Sequence, residues 1–232
     1  SDAMSINENQ FSSEADIRLL EAVASLNQIS STINRIGSDD VISSKDSLRL
    51  VVESAIRVVP GSSAVIYSYD EIKGEFDVPS RLTAGQDSER VVADTDKIDA
   101  LPRQDGFGRR AVNRRRNVFS YEEADVEIHP YYDALGVKAV GCFPLIVVEQ
   151  VVGVLYMYLC EDRPFSRLEL LLLENFVNQA AMAIYHARRM ASVRRDLARK
   201  EDELNRLNRA GMLISSRLQL EETLESILQL AL

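Results

Sequence analysis

The sequence predicts a chain of mixed α/β content arranged as an α+β fold: one antiparallel sheet flanked by helices, with a long coiled-coil-like helix at its C-terminal end. Three observations carry that prediction. Two pairs of β-branched and apolar runs are each joined by a tight turn, which can only make hairpins. Apolar residues spaced three and four apart precede the first hairpin, the mark of amphipathic helices. A heptad-like seam follows the last strand.

Residues 1–14 are polar, and Ser1-Asp2-Ala3 before Met4 reads as a cloning remnant. Between residues 15 and 40 the apolar positions Ile17, Leu19, Leu20, Val23, Leu26, Ile29, Ile33 and Ile36 form a helical stripe that ends at Gly37. A second helix is expected from about Asp46 to Val59, stopped by Pro60-Gly61. Ser63–Tyr69 and Glu75–Ala84 read as hairpin strands around a turn at Glu71–Gly74, the second weakened by Pro79. Gly85–Gln104 is polar and irregular, Gly106–Arg116 carries a short helix, and Val118–Ser120 is a brief strand at most. Tyr121–Gly136 is a long loop with a helical turn near Pro130–Leu135. Val137–Val148 and Val151–Leu159 are apolar strands joined by a turn at Glu149-Gln150. Ser166, with Glu169 three residues on, is a capping box that opens the final helix.

Composition narrows the function. The chain has 232 residues, 46% hydrophobic and 27% charged, enough for a real core. No apolar run approaches the ~20 residues of a membrane span, and no secretory signal is visible. A net charge of −9 argues against a general nucleic-acid binder, which needs a basic footprint. Cys142 and Cys160, the only cysteines, form no Cys-x-x-Cys and cannot make a zinc site alone. A reduced, cytoplasmic protein is expected.

The final helix carries a seam of Ala183, His186, Met190, Val193, Leu197, Lys200, Leu204, Leu207, Gly211, Ile214 and Leu218. Charged neighbours surround it, as expected of a parallel helix pair between two copies of the chain. There is also an internal repeat. Leu26-Asn27-Gln28-Ile29 with Ile33 matches Leu207-Asn208-Arg209-Ala210 with Ile214, and Asp46-Ser47-Leu48 with Val51-Val52 matches Glu222-Thr223-Leu224 with Ile227-Leu228. The expected division is therefore an N-terminal helix over 15–40, a domain over 41–187, a signalling helix over 188–206, and the start of a second, truncated copy over 207–232.

With this order of elements, Gly136-Val137-Lys138-Ala139-Val140-Gly141-Cys142-Phe143-Pro144-Leu145, Val151-Val152-Gly153-Val154-Leu155 and the exit Pro164-Phe165-Ser166 resemble a GAF domain over about residues 41–187. Gly106-Phe107-Gly108-Arg109-Arg110-Ala111-Val112 resembles that family's helix-opening segment. The resemblance implies helices on one side of the sheet and a ligand pocket under loops on the other. It suggests pocket walls from Phe107, Val118, Phe119, Tyr121, Tyr131, Tyr132, Cys142 and Phe143. It implies no bilin attachment at Cys142, which is followed by Phe143 rather than His. The family's cyclic-nucleotide motif is not apparent.

The remaining chemistry candidates are modest. Gly106-x-Gly108-x-x-Ala111 matches a relaxed dinucleotide fingerprint, but no buried strand precedes it. Arg109, Arg110, Arg114, Arg115 and Arg116 could form an anion site; the favoured reading is a solvated face paired with Glu122, Glu123, Asp125 and Glu127. His129 lacks a second ligand in view, so haem or metal ligation is not favoured. No nucleophile–base set, His-Glu-x-x-His or P-loop occurs, so no catalytic or metal residue is assigned. No cofactor is named.

The leading expectation is a sensory or regulatory module. It binds an unknown small molecule, or relays a signal, through a dimer stalk of Ala183, Met190, Val193, Leu197, Leu204, Leu207 and Ile214. A downstream histidine kinase, cyclic-dinucleotide enzyme or transcription activator would be the output. A ligand-free dimerisation module and a methionine-sulfoxide-reductase-like enzyme are the alternatives.

Overall fold

A computed structural model of the chain describes residues 17–28, 44–85 and 102–230, together with Glu14 and Ser31. The expected remnant at residues 1–3, the helix stop at Gly37 and most of the irregular 85–104 stretch lie outside these residues. The chain divides into two units, Ser1–Ala187 and Arg188–Leu232.

In the first unit, α1 (17–28) precedes α2 (Ser44–Val58), then β1 (Ser62–Asp70) and β2 (Glu75–Gly85). They are followed by α3 (Phe107–Arg114), β3 (Val118–Phe119), α4 (Pro130–Ala134), β4 (Ala139–Val147) and β5 (Gln150–Leu159). The last helix, α5, spans Arg167–Leu230. The five strands form one sheet in the order β2-β1-β5-β4-β3, and every pairing is antiparallel. The two hairpins thus meet through β1 and β5.

Turn chemistry sets both hairpins. In the first, Asp70 Oδ1 accepts from the backbone N–H of Ile72 and of Lys73, and Gly74 takes φ +69°. In the second, Gln150 already pairs with Val147, so the turn residues are Val148 and Glu149, one position earlier than the sequence suggests. Both have positive φ, 50° and 64°, as a two-residue loop between right-twisted strands demands. Pro79 lies on the edge strand β2, beside a register shift opposite Ile66 and Ser68.

The capping box is formed as read. Ser166 Oγ accepts from the Glu169 N–H at 3.2 Å, and Glu169 Oε2 accepts from the Ser166 N–H at 2.7 Å. Arg163 adds two bonds of 3.0 Å to the same carboxylate. Burial pushes the Glu169 carboxyl up, but the Arg163 guanidinium and Ser166 outweigh it and leave it below the usual carboxylate range.

Two apolar layers cover the sheet. On one face, Ala22, Val51, Val52 and Ala55 of α1 and α2 meet Leu173, Phe176, Ala180 and Ile184 of α5 and the inward residues Leu145, Leu155, Met157 and Leu159. On the other, Phe107, Ala111 and Val112 of α3 and Tyr132 of α4 pack on Val65, Tyr67, Val140, Cys142, Tyr156 and Tyr158. The expected short helix at Gly106 and helical turn at Pro130 both lie on this pocket side, among its loops.

The second unit consists of the distal turns of α5. The seam's first expected member, Ala183, is fully buried in the first unit's core rather than on a free face. Its backbone lies where α5 still covers the sheet. Met190 is half-buried, and Val193, Leu197, Leu204, Leu207, Ile214 and Leu218 are each more than half exposed. No helix among the described residues is long and apolar enough to cross a membrane.

Candidate functional site

On the α3/α4 face of the sheet lies a cavity of about 40 Å³. Three strands build its floor. β1 contributes Tyr67, β4 contributes Val140, and β5 contributes Tyr156 and Tyr158. Side chains alternate along a strand, so Tyr156 and Tyr158 reach the cavity while Leu155, Met157 and Leu159 between and beside them reach the α5 layer. The wall opposite comes from Pro102, Arg103 and Gly106 before α3, Phe107 at its start, and His129 and Tyr132 at α4.

The aromatic floor is ordered by ring packing. Tyr132 stacks on Tyr158 with centroids 4.0 Å apart and planes 12° from parallel. Tyr156 lies 9° from parallel with Tyr158 and edge-on to Tyr67. Burial raises the phenols of Tyr156 and Tyr158 well above their ordinary value. Burial likewise raises Tyr132, and Tyr67 against the opposing pull of Arg81. All four are neutral hydroxyls at physiological pH. Cys142, fully buried beneath them, is raised well above its usual value by burial alone, so its thiol is protonated and a poor nucleophile.

The polar rim is held from outside. His129 is the N-cap of α4, its Nδ1 accepting from the Tyr131 N–H at 3.1 Å, a structural role for a residue that also borders the cavity. Arg103 donates to the Glu127 carbonyl at 2.5 Å through Nη2. Its buried Nε has no hydrogen-bond partner among the described residues.

The arginine cluster forms the expected paired face only in part: Arg110 and Arg114 meet the expected acids. Arg110 bridges Glu123 at 2.6 Å and Asp125 at 2.6 Å, and Arg114 shares Glu123. Arg115 reaches Glu71 at 2.7 Å. Arg109 instead lies over the rings of Tyr69 and Phe76 and donates to the Gly74 carbonyl at 2.6 Å, tying α3 to the first hairpin turn.

Of the eight suggested pocket residues, Phe107 and Tyr132 line the cavity. Val118 and Cys142 are buried in the same layer, and Tyr131 packs partly against it, without lining the cavity. Phe119 and Phe143 fall on the opposite face, where they pack with Phe165. Cys142 and Phe143 are adjacent on one strand, so they cannot share a face. Tyr121 is 44% exposed and stacks on Phe119. The residues missed were Tyr67, Tyr156 and Tyr158, whose signal was tyrosine on alternate positions, and Pro102, Arg103, Gly106, His129 and Val140.

A five-stranded antiparallel sheet with its cavity under two short helices, and a long helix leaving the other face, defines a single-sheet pocket module. The sequence profile of the GAF domain matches residues 42–184, well over half of the chain, and the protein belongs to the GAF domain family. Solved structures agree in fold. The GAF domain of a phosphoenolpyruvate-protein phosphotransferase from Coxiella burnetii is 18% identical with a TM-score of 0.57, covering 75% of this chain and 98% of its own. The corresponding domain from Acinetobacter is 16% identical with a TM-score of 0.53, over 74% and 97% of the two chains. The third GAF domain of Slr1393 from Synechocystis sp. PCC6803, solved in its photoproduct state, is 20% identical with a TM-score of 0.51, over 65% and 99%. No curated protein sequence matches the chain significantly.

Proposed function

We propose that this protein is a sensory or regulatory GAF module that binds a small molecule in the cavity and passes its occupancy to α5. One observation carries the reading: β5 separates cavity from helix by a single strand. Tyr156 and Tyr158 border the cavity, while Leu155, Met157 and Leu159 pack in the layer that holds Leu173, Phe176 and Ile184 of α5. Close-packed interiors transmit displacement rather than absorb it. An occupant that moves the two tyrosines therefore shifts the seating of the helix and biases one of two packing states. Beyond the core, the exposed face of Val193, Leu197, Leu204, Leu207 and Ile214 pairs with the same face of a second copy, in parallel. We further read residues 207–232 as the opening of a second copy of the domain, with a signalling output module downstream.

Native mass spectrometry of the purified protein tests the first step. A small molecule should be retained in the wild type and lost from Val140→Phe, which fills the cavity floor. Retention undiminished by that substitution removes the cavity from the mechanism.

A further inference from the structure

The cavity offers hydrogen-bond donors, and among the described residues no carboxylate borders it. α3 opens on Gly106, which has no side chain to cap the helix, and its first turn holds no acidic residue. The first amides of a helix lack intrahelical acceptors and carry its positive end; here Gly106 and Phe107 bring that end to the cavity. Tyr156 is an independent witness. It is 8% exposed and lines the same cavity. Its hydroxyl lies so close to the first turn of α3 that a Cβ added to Gly108 would stand 1.8 Å from it. That hydroxyl has no hydrogen-bond partner among the described residues, and the buried Arg103 Nε has none either. The Tyr156 hydroxyl is thus free to meet a ligand, and a buried unmatched donor such as the Arg103 Nε is costly.

We propose, resting on the cavity being a ligand site, that its ligand is a small planar monocarboxylate. The carboxylate sits against the first turn of α3 and the Tyr156 hydroxyl, and the flat body lies among the tyrosine rings. Size favours a single ring. A sphere of 40 Å³, widened by the ~1.4 Å radius of water, is about 7 Å across, the span of one six-membered ring. Nucleotides and tetrapyrroles are several times larger. The positive helix end and the Arg103 guanidinium offset the desolvation of the single negative charge.

Calorimetric titration of the whole chain with benzoate, its neutral isostere benzamide and inorganic phosphate tests the assignment. Benzoate should saturate one site per chain and bind at least tenfold more tightly than benzamide or phosphate. Tyr156→Phe removes only an unbonded hydroxyl, so it should leave thermal unfolding unchanged and weaken benzoate about tenfold. Val140→Phe should abolish benzoate binding. The proposal is overturned if benzamide binds as well as benzoate, or if benzoate does not saturate at millimolar concentration. It is also overturned if either substitution leaves benzoate affinity unchanged. Where benzoate fails but a neutral molecule is retained by the wild type and lost from Val140→Phe, the anion assignment falls and the ligand site stands. Where nothing binds or is retained, both fall.

Discussion

Glu169 holds the start of α5 with a buried carboxylate that answers to both Ser166 and Arg163. Because its folded pKa is lowered, the carboxylate contributes stability above its unfolded value of about 4.3 and loses it as pH falls through the folded value. Stability to urea of the wild type should therefore fall as the pH drops below about 4.3, more steeply than that of Glu169→Gln. Glu169→Ala, which removes the cap as well, should cost about 1–2 kcal/mol at neutral pH. Gly108 is the other exacting residue. Gly108→Ala drives a methyl into the Tyr156 hydroxyl and ring, whose neighbours Tyr158 and Tyr67 leave little room to yield. A loss of about 1–3 kcal/mol in denaturant unfolding is expected.

At the scale of the element, the β4–β5 turn is stable in spite of its sequence. Val148, β-branched and 73% exposed, takes φ 50° beside Glu149 at 64°, a conformation that favours Asn and Gly. Replacing the pair by Asn-Gly should raise stability by about 1 kcal/mol in thermal or urea unfolding. The Glu149 carbonyl, which accepts from Arg115, is backbone and survives the change. The distal α5 face makes a different prediction. Leu204, 62% exposed, is worth roughly 1.5–3 kcal/mol when covered, once from each chain of a pair. Leu204→Asp should weaken the proposed dimer at least a hundredfold in sedimentation equilibrium while the circular dichroism of the domain persists.

Elements were the most legible scale. Both hairpins, the short helix at Gly106, the turn at Pro130 and the capping box stand in the sequence because each depends on residues within a few positions of one another. The cavity does not. Tyr67, Val140 and Tyr156 come together only once β1, β4 and β5 are neighbours. In the sequence, β5 is a near-continuous apolar run that hides which residues face which layer. The register with β4, Cys142 opposite Tyr156 and Phe143 opposite Leu155, decides it. Ala183 fits the heptad spacing as well as Val193 does; only the end of the sheet's cover distinguishes them.

For the molecule as a whole, both apolar layers close within the first unit. A chain ending after Ala187 should therefore fold cooperatively, keep its melting temperature within a few degrees, and run as a monomer in light scattering at concentrations where the full chain forms the proposed dimer. The ring arrangement under α3 has an optical corollary. The chain has eight tyrosines and no tryptophan, and Tyr67, Tyr132, Tyr156 and Tyr158 all border one cavity. With no indole to capture their excitation, half of the protein's tyrosines surround the proposed ligand. Whatever enters there quenches or shifts them directly, so occupancy is readable in unlabelled protein from tyrosine emission.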